Sequence, residues 1–380
     1  MSMSRKEFLK SIGIMGAGVF LAQNHTLANQ GGGEDTPSTT KPRIEYEKKR
    51  LELFHTWTIT RGSADYKENV LVYYHKDGVT GIGEASHMTA AGQNADRSIE
   101  ELKKIIPLYE ESDPWQFFYL PEKAQAIIPE ISPAKAALDI ALMDWIGKKL
   151  NTPLYRMFGL DSSYIVNTSF SIGIDKPDVM QQKVKEAEVY KILKVKLLGK
   201  NDEEVISTLR KVTDKPIRVD INQGWTDKEA AVRKIEWMAK QNIEMIEQPM
   251  PVDMIEETRW IKERSPLPIV ADEAVETTHD IPKLAEAYHG INIKLMKSGG
   301  IQEAYRMALL GRAYGLDIMF GCMIETSAAI SAAAQLQPFA KWVDLDGNLL
   351  IKNDPFEGVK FVDGHWVLND LPGIGIQEKS

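Results

Sequence analysis

From about residue 166 onward, short apolar segments alternate with helical stretches, and this alternation constrains the fold more than any other feature. Strands are expected at 192–197, 217–221, 245–246, 269–271, 291–296 and 318–320. Strands separated by helices pair in parallel, either in a closed barrel or in an open doubly wound sheet. No G-x-G-x-x-G or Walker sequence follows the first strand, which disfavours nucleotide binding, and several strands end in charged residues. The pattern therefore favours an α/β fold built on a TIM-type (β/α) barrel, with its chemistry at one mouth.

Three of the expected strands end in acids. Asp220, Glu247 and Asp272 are 27 and 25 residues apart, which is one βα unit each time. Equivalent ends of successive parallel strands meet at one face, where three carboxylates repel one another and retain protons unless a cation lies among them. Oxygen-only ligands favour Mg²⁺ or Mn²⁺ over zinc. Taken singly, each acid is better explained as a solvated rim residue, but the regular spacing of the three favours a metal site.

Lysines flank this run of acids in the sequence. Lys194 and Lys196 are two positions apart on an expected strand, so both side chains point to the same face. Lys294 lies on the strand that follows Asp272. A cation beside an inward lysine lowers the pKa of the ammonium toward a value useful for a base. Lys196 and Lys294 are therefore candidate bases on opposite sides of the metal, although ion pairing with the acids is the alternative, above all for Lys194.

The first 28 residues have the pattern of an export signal. A basic start containing Arg5 and Lys6 precedes a short apolar stretch at 11–22, and small residues allow cleavage after Ala28. The segment resembles a twin-arginine signal in which Lys6 replaces the second arginine. Residues 29–42 have the composition of a flexible linker. We expect export to the periplasm; an ordinary first helix of a cytoplasmic protein is the alternative.

Between residues 43 and 164 the pattern is first extended and then helical. Short alternating runs at 43–47, 51–54, 55–62, 70–74 and 81–85 predict a small antiparallel sheet, and apolar spacing over 134–149 predicts a helix. The formal net charge of −8 and the lack of a long basic run argue against a nucleic-acid partner. A single cysteine excludes an intrachain disulfide, and no apolar run is long enough to span a membrane.

Several short motifs follow one another along the expected barrel: Lys194-Val195-Lys196, Asp220-Ile221-Asn222, Glu247-Gln248-Pro249, Asp272-Glu273 and the run Lys294-Leu295-Met296-Lys297-Ser298-Gly299-Gly300. In this order they resemble the enolase superfamily, in its muconate-lactonising subgroup. The resemblance implies a barrel at 165–346 and an α+β capping domain formed by residues 43–164 and by the returning segment 347–380. It also implies proton abstraction α to a carboxylate, with Mg²⁺ held by Asp220, Glu247 and Asp272. Asn222 and Glu273 would support these ligands.

The motif Val343-Asp344-Leu345-Asp346-Gly347 resembles the Asp-x-Asp with which the dipeptide epimerases of that superfamily hold the amine of a dipeptide, although a polar turn is the simpler interpretation of the motif alone. Arg61 resembles the arginine that they aim at a glutamyl side chain. Lys194 would bind the substrate carboxylate, and Met323 would line the pocket. The resemblance implies Mg²⁺-dependent inversion of the C-terminal residue of L-Ala-D/L-Glu or a similar dipeptide, through an enolate, by proton transfer between Lys196 and Lys294.

Other outcomes stay open on the sequence. N-succinylamino acid racemisation, o-succinylbenzoate synthesis and cycloisomerisation would use the same metal and lysines. A chemically different alternative is an exported barrel that binds dipeptides without turnover. The chain could act as a homo-oligomer, with a small dipeptide as its partner in either case.

Overall fold

The computed structural model describes residues 40–59, 62–88, 92–173, 175–197 and 199–379. The predicted export signal and most of the predicted linker lie outside these residues, as does Arg61. Among the helices described, none has the length and apolar character needed to cross a bilayer.

The N-terminal part begins with an antiparallel sheet of three strands in the order β1-β2-β3. The strands are β1 (Arg43–Ile59), β2 (Gly62–Lys76) and β3 (Val79–Ala85). The sequence predicted three separate short strands between 43 and 62, and that was wrong, because β1 is one strand with an irregularity between Glu52 and Trp57. Pairing with the long β2 keeps both halves of β1 in the same sheet.

Three helices follow this sheet. They are α1 (Ala95–Glu111), α2 (Leu120–Ile127) and α3 (Pro133–Lys149). The predicted helix at 134–149 is thus confirmed, and it begins where Ser132 caps the helix and Pro133 occupies its first turn. Helix α3 is buried along almost its whole length. It packs so closely on β3 that a Cβ at Gly81 or Gly83 would overlap carbonyl oxygens of the helix.

Eight parallel strands form the second part, in strictly sequential order from β4 to β11. They are β4 (Ser169–Ile172), β5 (Ile192–Lys196), β6 (Ile217–Asp220), β7 (Ile243–Glu247), β8 (Ile269–Ala271), β9 (Gly290–Lys294), β10 (Asp317–Gly321) and β11 (Trp342–Asp344). A parallel bridge from Thr168 to Val343 joins the last strand to the first. This arrangement confirms the predicted TIM-type barrel.

Helices separate successive strands of the barrel. They are α4 (Leu154–Met157) before β4, then α5 (Pro177–Glu186), α6 (Asp202–Arg210), α7 (Lys228–Met238), α8 (Ile255–Lys262), α9 (Ile281–Ala287), α10 (Leu295–Ser298), α11 (Ile301–Ala313) and α12 (Ser327–Ala334). Two details differ from the sequence prediction. The strand β4 was not predicted, and the strand expected at 291–296 ends at Lys294 because α10 begins with the next residue.

The C-terminal segment returns to the N-terminal part. It carries the short strands β12 (Phe356–Glu357), β13 (Lys360–Val362), β14 (His365–Val367) and β15 (Gln377–Glu378). Ile351 bridges to Leu53 of β1, and the backbone N–H of Ile374 donates to Asp144 of α3 at 2.9 Å. The same carboxylate accepts from the N–H of Ile82 at 2.8 Å, so one buried acid ties the segment to the first sheet. The exact domain boundaries stay predictions.

Candidate active site

The three predicted acids lie side by side at the carboxyl end of the barrel. Asp220 and Glu247 end β6 and β7 and are direct partners in the parallel register, and Asp272 follows β8 at once. All three are buried, and one carboxylate oxygen of each lies within 4.8 Å of the others. Consecutive parallel strands thus deliver the three side chains to one point, as the spacing predicted.

The protonation of the triad follows from its crowding. Burial is the main cause that raises the pKa of Glu247 to about 7, and the carboxylate of Asp220 adds to the shift. Burial also acts to raise the pKa of Asp220, but the ammonium groups of Lys196 and Lys194 outweigh it and the net shift is downward. Glu247 Oε2 is 2.8 Å from Lys194 Nζ but accepts no well-oriented hydrogen bond among the described residues. Three buried carboxylates with an underused oxygen fit a Mg²⁺ site.

Two lysines flank the triad on either side. Lys196 Nζ, from β5, lies 2.8 Å from Asp220 Oδ2, and Lys294 Nζ, from β9, lies 2.8 Å from Asp272 Oδ2. Since β5 and β9 enclose β6, β7 and β8 in the sheet order, the two ammonium groups approach from opposite sides. Burial lowers the pKa of Lys294, but the carboxylates of Asp272, Glu247 and Asp220 together outweigh this, so its pKa lies above the ordinary value. The lowered lysine pKa expected from the sequence therefore depends on a cation at the triad.

A third lysine connects the triad to the last strand. Lys194 Nζ is 2.8 Å from Asp344 Oδ2 and 3.4 Å from Asp220 Oδ2. Asp344 also accepts a hydrogen bond from Ser169 Oγ at 2.7 Å, and Asp346 accepts one from the N–H of Ser171 at 2.7 Å. Burial and the nearby Asp344 raise the pKa of Asp346 to about 6. The two acids of the Asp-x-Asp motif are therefore close together and buried at the same mouth.

The other predicted residues also gather here. The N–H of Asn222 donates to Asp220 Oδ1 at 3.0 Å, and its side chain donates to Glu273 Oε1 at 3.2 Å. Met323 lines the same cleft, which has a volume of about 940 Å³. Lys194, Lys196 and Lys294 line the cleft from the barrel, together with Asp272, Asp344 and Asp346. Its opposite wall comes from the N-terminal part and includes Tyr66, Lys67, Glu68 and His87.

Some residues in contact with the triad were missed. Asn292 Nδ2 donates to Glu247 Oε1 at 2.9 Å, and Lys297 Nζ donates to Asp272 Oδ1 at 2.6 Å. Gln248 Oε1 accepts from the N–H of Asp272 at 2.9 Å. A signal for Asn292 was available, because it lies two positions before Lys294 on one strand and so faces the same way. Lys297 reaches Asp272 only because α10 begins directly after β9, and the sequence prediction had extended the strand there.

Comparison with known proteins places the chain in a family. The model for the mandelate racemase/muconate lactonizing enzyme N-terminal domain matches residues 47–159, and the enolase C-terminal domain-like model matches residues 179–379. An L-Ala-D/L-Glu epimerase from Bacteroides thetaiotaomicron is 43% identical over 385 aligned residues, which cover 99% of each chain.

Solved structures agree with this assignment. A dipeptide epimerase from Methylococcus capsulatus, complexed with Mg and the dipeptide L-Arg-D-Lys, has a TM-score of 0.82 at 29% identity, with 89% of this chain and 99% of that chain covered. An N-succinyl Arg/Lys racemase from Bacillus cereus has a TM-score of 0.84 at 28% identity, with 90% and 96% covered. With both domain models matched in order over the barrel and its N-terminal partner, the chain belongs to the mandelate racemase/muconate lactonizing enzyme family of the enolase superfamily.

Proposed function

We propose that this enzyme is a Mg²⁺-dependent dipeptide epimerase that inverts the α-carbon of the C-terminal residue of L-Ala-D/L-Glu or a similar dipeptide. The observation that carries the proposal is the placement of Lys196 and Lys294 on opposite sides of a buried acidic triad. Inversion needs one group to remove the α-proton and a second to deliver a proton to the other face. The similarity to the epimerase of Bacteroides thetaiotaomicron supports the same reaction.

Asp220, Glu247 and Asp272 would hold Mg²⁺. The N–H of Asn222 would orient Asp220, and Glu273 would hold the side chain of Asn222. When bound, Mg²⁺ supplies positive charge that favours the negative charge developing on the substrate carboxylate as the α-proton leaves. The protein's own part is proton transfer. One lysine accepts the α-proton, an enolate forms, and the other lysine returns a proton from the opposite side.

The remaining polar groups of the cleft would fix the orientation of the dipeptide. Asp344 and Asp346 would receive the α-ammonium group of the first residue, because both carboxylates line the cleft and are buried. Lys194 would contact the substrate carboxylate, and Met323 would form part of the apolar wall. Arg61 stays a prediction for the glutamyl side chain, since it lies outside the described residues.

Racemisation of an N-succinylamino acid is the second candidate, favoured by the structural similarity to the Bacillus cereus racemase. Such a substrate has no free amine. Buried carboxylates at Asp344 and Asp346 would face its uncharged amide or its acidic acyl group, which is a poorer match than an ammonium. The dipeptide is therefore the better substrate for this cleft.

Proton NMR of L-Ala-L-Glu in D₂O with Mg²⁺ and the purified protein tests the proposal. Loss of the Glu α-proton signal together with the appearance of L-Ala-D-Glu is the expected result. N-succinyl-L-Glu in parallel should react at least about tenfold more slowly, which corresponds to the loss of one charge-assisted contact. Faster reaction of the N-succinyl compound would support the second candidate. Binding of dipeptides without any exchange would support a non-catalytic barrel.

We also propose that the protein is exported to the periplasm. The basic residues Arg5 and Lys6 ahead of an apolar stretch at 11–22 support this location. Fractionation of cells that produce the full chain should find the protein outside the cytoplasm, with residues 1–28 removed. Substituting Arg5 and Lys6 by Gln should retain the protein in the cytoplasm. An uncleaved cytoplasmic wild-type protein would contradict this proposal without touching the proposed reaction.

A further inference from the structure

Lys67 of β2 places an ammonium group in the wall of the cleft. Its Nζ donates to the backbone carbonyl of His87 at 2.9 Å. No described carboxylate forms an ion pair with it, whereas Lys194, Lys196 and Lys294 each pair with acids. An ammonium has three donors, so at least one remains for a ligand in the cleft that the side chain lines.

Glu84 and Glu325 attract Lys67 electrostatically, but neither forms an ion pair with it within 4 Å among the described residues. The hydrogen bonds that Glu84 accepts come from other groups, Thr326 Oγ1 at 2.6 Å and Asn69 Nδ2 at 2.7 Å. Burial is the main cause that raises the pKa of Glu325 to about 8, and the Glu84 carboxylate adds to the shift. Glu325 is therefore mostly protonated at pH 7. Burial and the charge of Lys67 lower the pKa of His87 to about 4, so the imidazole is neutral.

The acids at the outer edge of this wall are already paired. Lys48 Nζ lies 2.6 Å from Asp96 Oδ1 and 3.8 Å from Glu68 Oε2. Asp65 also has an interaction partner. Lys67 is therefore a cation on the described part of this wall that forms no ion pair there, and its hydrogen bond to the His87 carbonyl orients it.

Lys67 also lies on the side of the cleft that a substrate side chain would face. Lys67 and Lys294 line the same cleft, Lys67 from the N-terminal part and Lys294 from the barrel. An α-carbon held between Lys196 and Lys294 would direct its carboxylate to the triad and its amide toward Asp344 and Asp346. The side chain is the remaining substituent, and the wall that carries Lys67 is a surface of the cleft that none of these contacts uses.

We propose that Lys67 binds the side-chain carboxylate of the substrate's C-terminal residue and so selects dipeptides that end in an acidic residue. The inference rests on the proposed function and deepens it. An anionic side chain would gain a charge-assisted hydrogen bond from a lysine that is already positioned. A neutral side chain of the same shape would leave the ammonium without a partner in a partly dehydrated wall.

The test compares L-Ala-L-Glu with its neutral isostere L-Ala-L-Gln, using the full chain with Mg²⁺. The wild type should favour the Glu dipeptide in kcat/KM. In Lys67→Met, the KM for L-Ala-L-Glu should rise roughly 10- to 100-fold, and the loss for L-Ala-L-Gln should be at least about tenfold smaller. Lys67→Arg should restore most of the preference because it keeps the charge. Lys103→Met, on the exposed face of α1, is the matched control and should leave both substrates unaffected.

Equal losses for the two substrates in Lys67→Met would overturn the assignment of Lys67. If Lys67→Met does not fold, two other measurements test the assignment of Lys67. They are the ratio of kcat/KM for L-Ala-L-Glu to that for L-Ala-L-Gln in Lys67→Arg, and the wild-type KM values above pH 9. Deprotonation of Lys67, whose pKa is lowered to about 8 chiefly by burial, should then raise KM for the Glu dipeptide more than for the Gln dipeptide. An identical pH dependence for the two substrates would also contradict the inference. A wild type that exchanges no α-proton in any dipeptide would instead refute the proposed function.

Discussion

Lys194 Nζ lies 2.8 Å from Asp344 Oδ2, so a side chain of the second barrel strand directly contacts a side chain of the eighth. The same ammonium lies 2.8 Å from Glu247 Oε2. One lysine thus joins the acids that would hold Mg²⁺ to the acids that would hold the amine of a dipeptide.

Replacing Asp344 by Asn should weaken dipeptide binding more than the binding of substrates without a free amine. A lost charge-assisted hydrogen bond is worth about 1.5–3 kcal/mol, so the KM for L-Ala-L-Glu should rise roughly 10- to 100-fold. The KM for N-acetyl-L-Glu should change by less than about threefold. Steady-state kinetics with both substrates checks this, and Asp317→Asn at the exposed Lys341 pair is the control. An unchanged substrate preference would remove the amine-binding role.

Replacing either Lys196 or Lys294 by Ala should abolish epimerisation but leave half of the exchange chemistry. General acid–base groups contribute about 10²- to 10⁴-fold, so kcat for inversion should fall by at least that factor. The lysine that remains can still remove and return a proton on its own side. In D₂O, each variant should therefore exchange the α-proton of one epimer only, and the two variants should act on opposite epimers. A Lys294→Ala protein that inverts at the wild-type rate would refute the two-base scheme.

The affinity for Mg²⁺ should fall as the pH falls below 7. Burial and the neighbouring Asp220 raise the pKa of Glu247 to about 7, so below that pH a proton competes with the metal for this carboxylate. Displacement of one proton weakens binding by up to roughly tenfold for each pH unit. Titrations of Mg²⁺ by calorimetry at pH 6, 7 and 8 measure the slope, with circular dichroism as the control for folding. A dissociation constant for Mg²⁺ that does not change from pH 6 to 8 would contradict the assignment of Glu247 as a metal ligand. Chelation with EDTA should stop α-proton exchange at every pH.

Replacing Glu325 by Gln should stabilise the protein at alkaline pH. Burial holds the pKa of Glu325 at about 8 in the folded protein, against an ordinary value of about 4.3 in the unfolded chain. The folded state retains this proton between the two values while the unfolded state loses it, so wild-type stability falls as pH rises toward 8. Gln keeps the acceptor for the N–H of Met323 and cannot ionise.

Thermal melts at pH 5, 7 and 9 test whether wild-type stability falls with rising pH as predicted. The Tm of Glu325→Gln should exceed that of the wild type by a few degrees at pH 9, since about 1 kcal/mol shifts the Tm of a protein of this size by roughly 2–4 °C. At pH 5 the difference should be smaller or reversed. A Tm difference that stays the same at all three pH values would show that Glu325 does not titrate in this range.

The sequence by itself determined the barrel and its acidic triad. The spacing of Asp220, Glu247 and Asp272 reflects the length of one βα unit, and parallel strands necessarily end at the same mouth. The two-residue period of a strand likewise placed Lys194 and Lys196 on one face, and Asn292 beside Lys294. These relationships follow from local geometry repeated along the chain, so a linear pattern encodes them.

Only the tertiary structure decided how the N-terminal part meets the barrel. Asn69 of β2 donates to the backbone carbonyl of Ile324 at 2.9 Å, across 255 residues of sequence, and no period along the chain predicts that contact. The position of Lys67 beside the region of Glu325 and the upward pKa shift of Glu325 come from the same packing. Burial and the mutual approach of distant side chains set these charges, and both quantities exist only after the chain has folded.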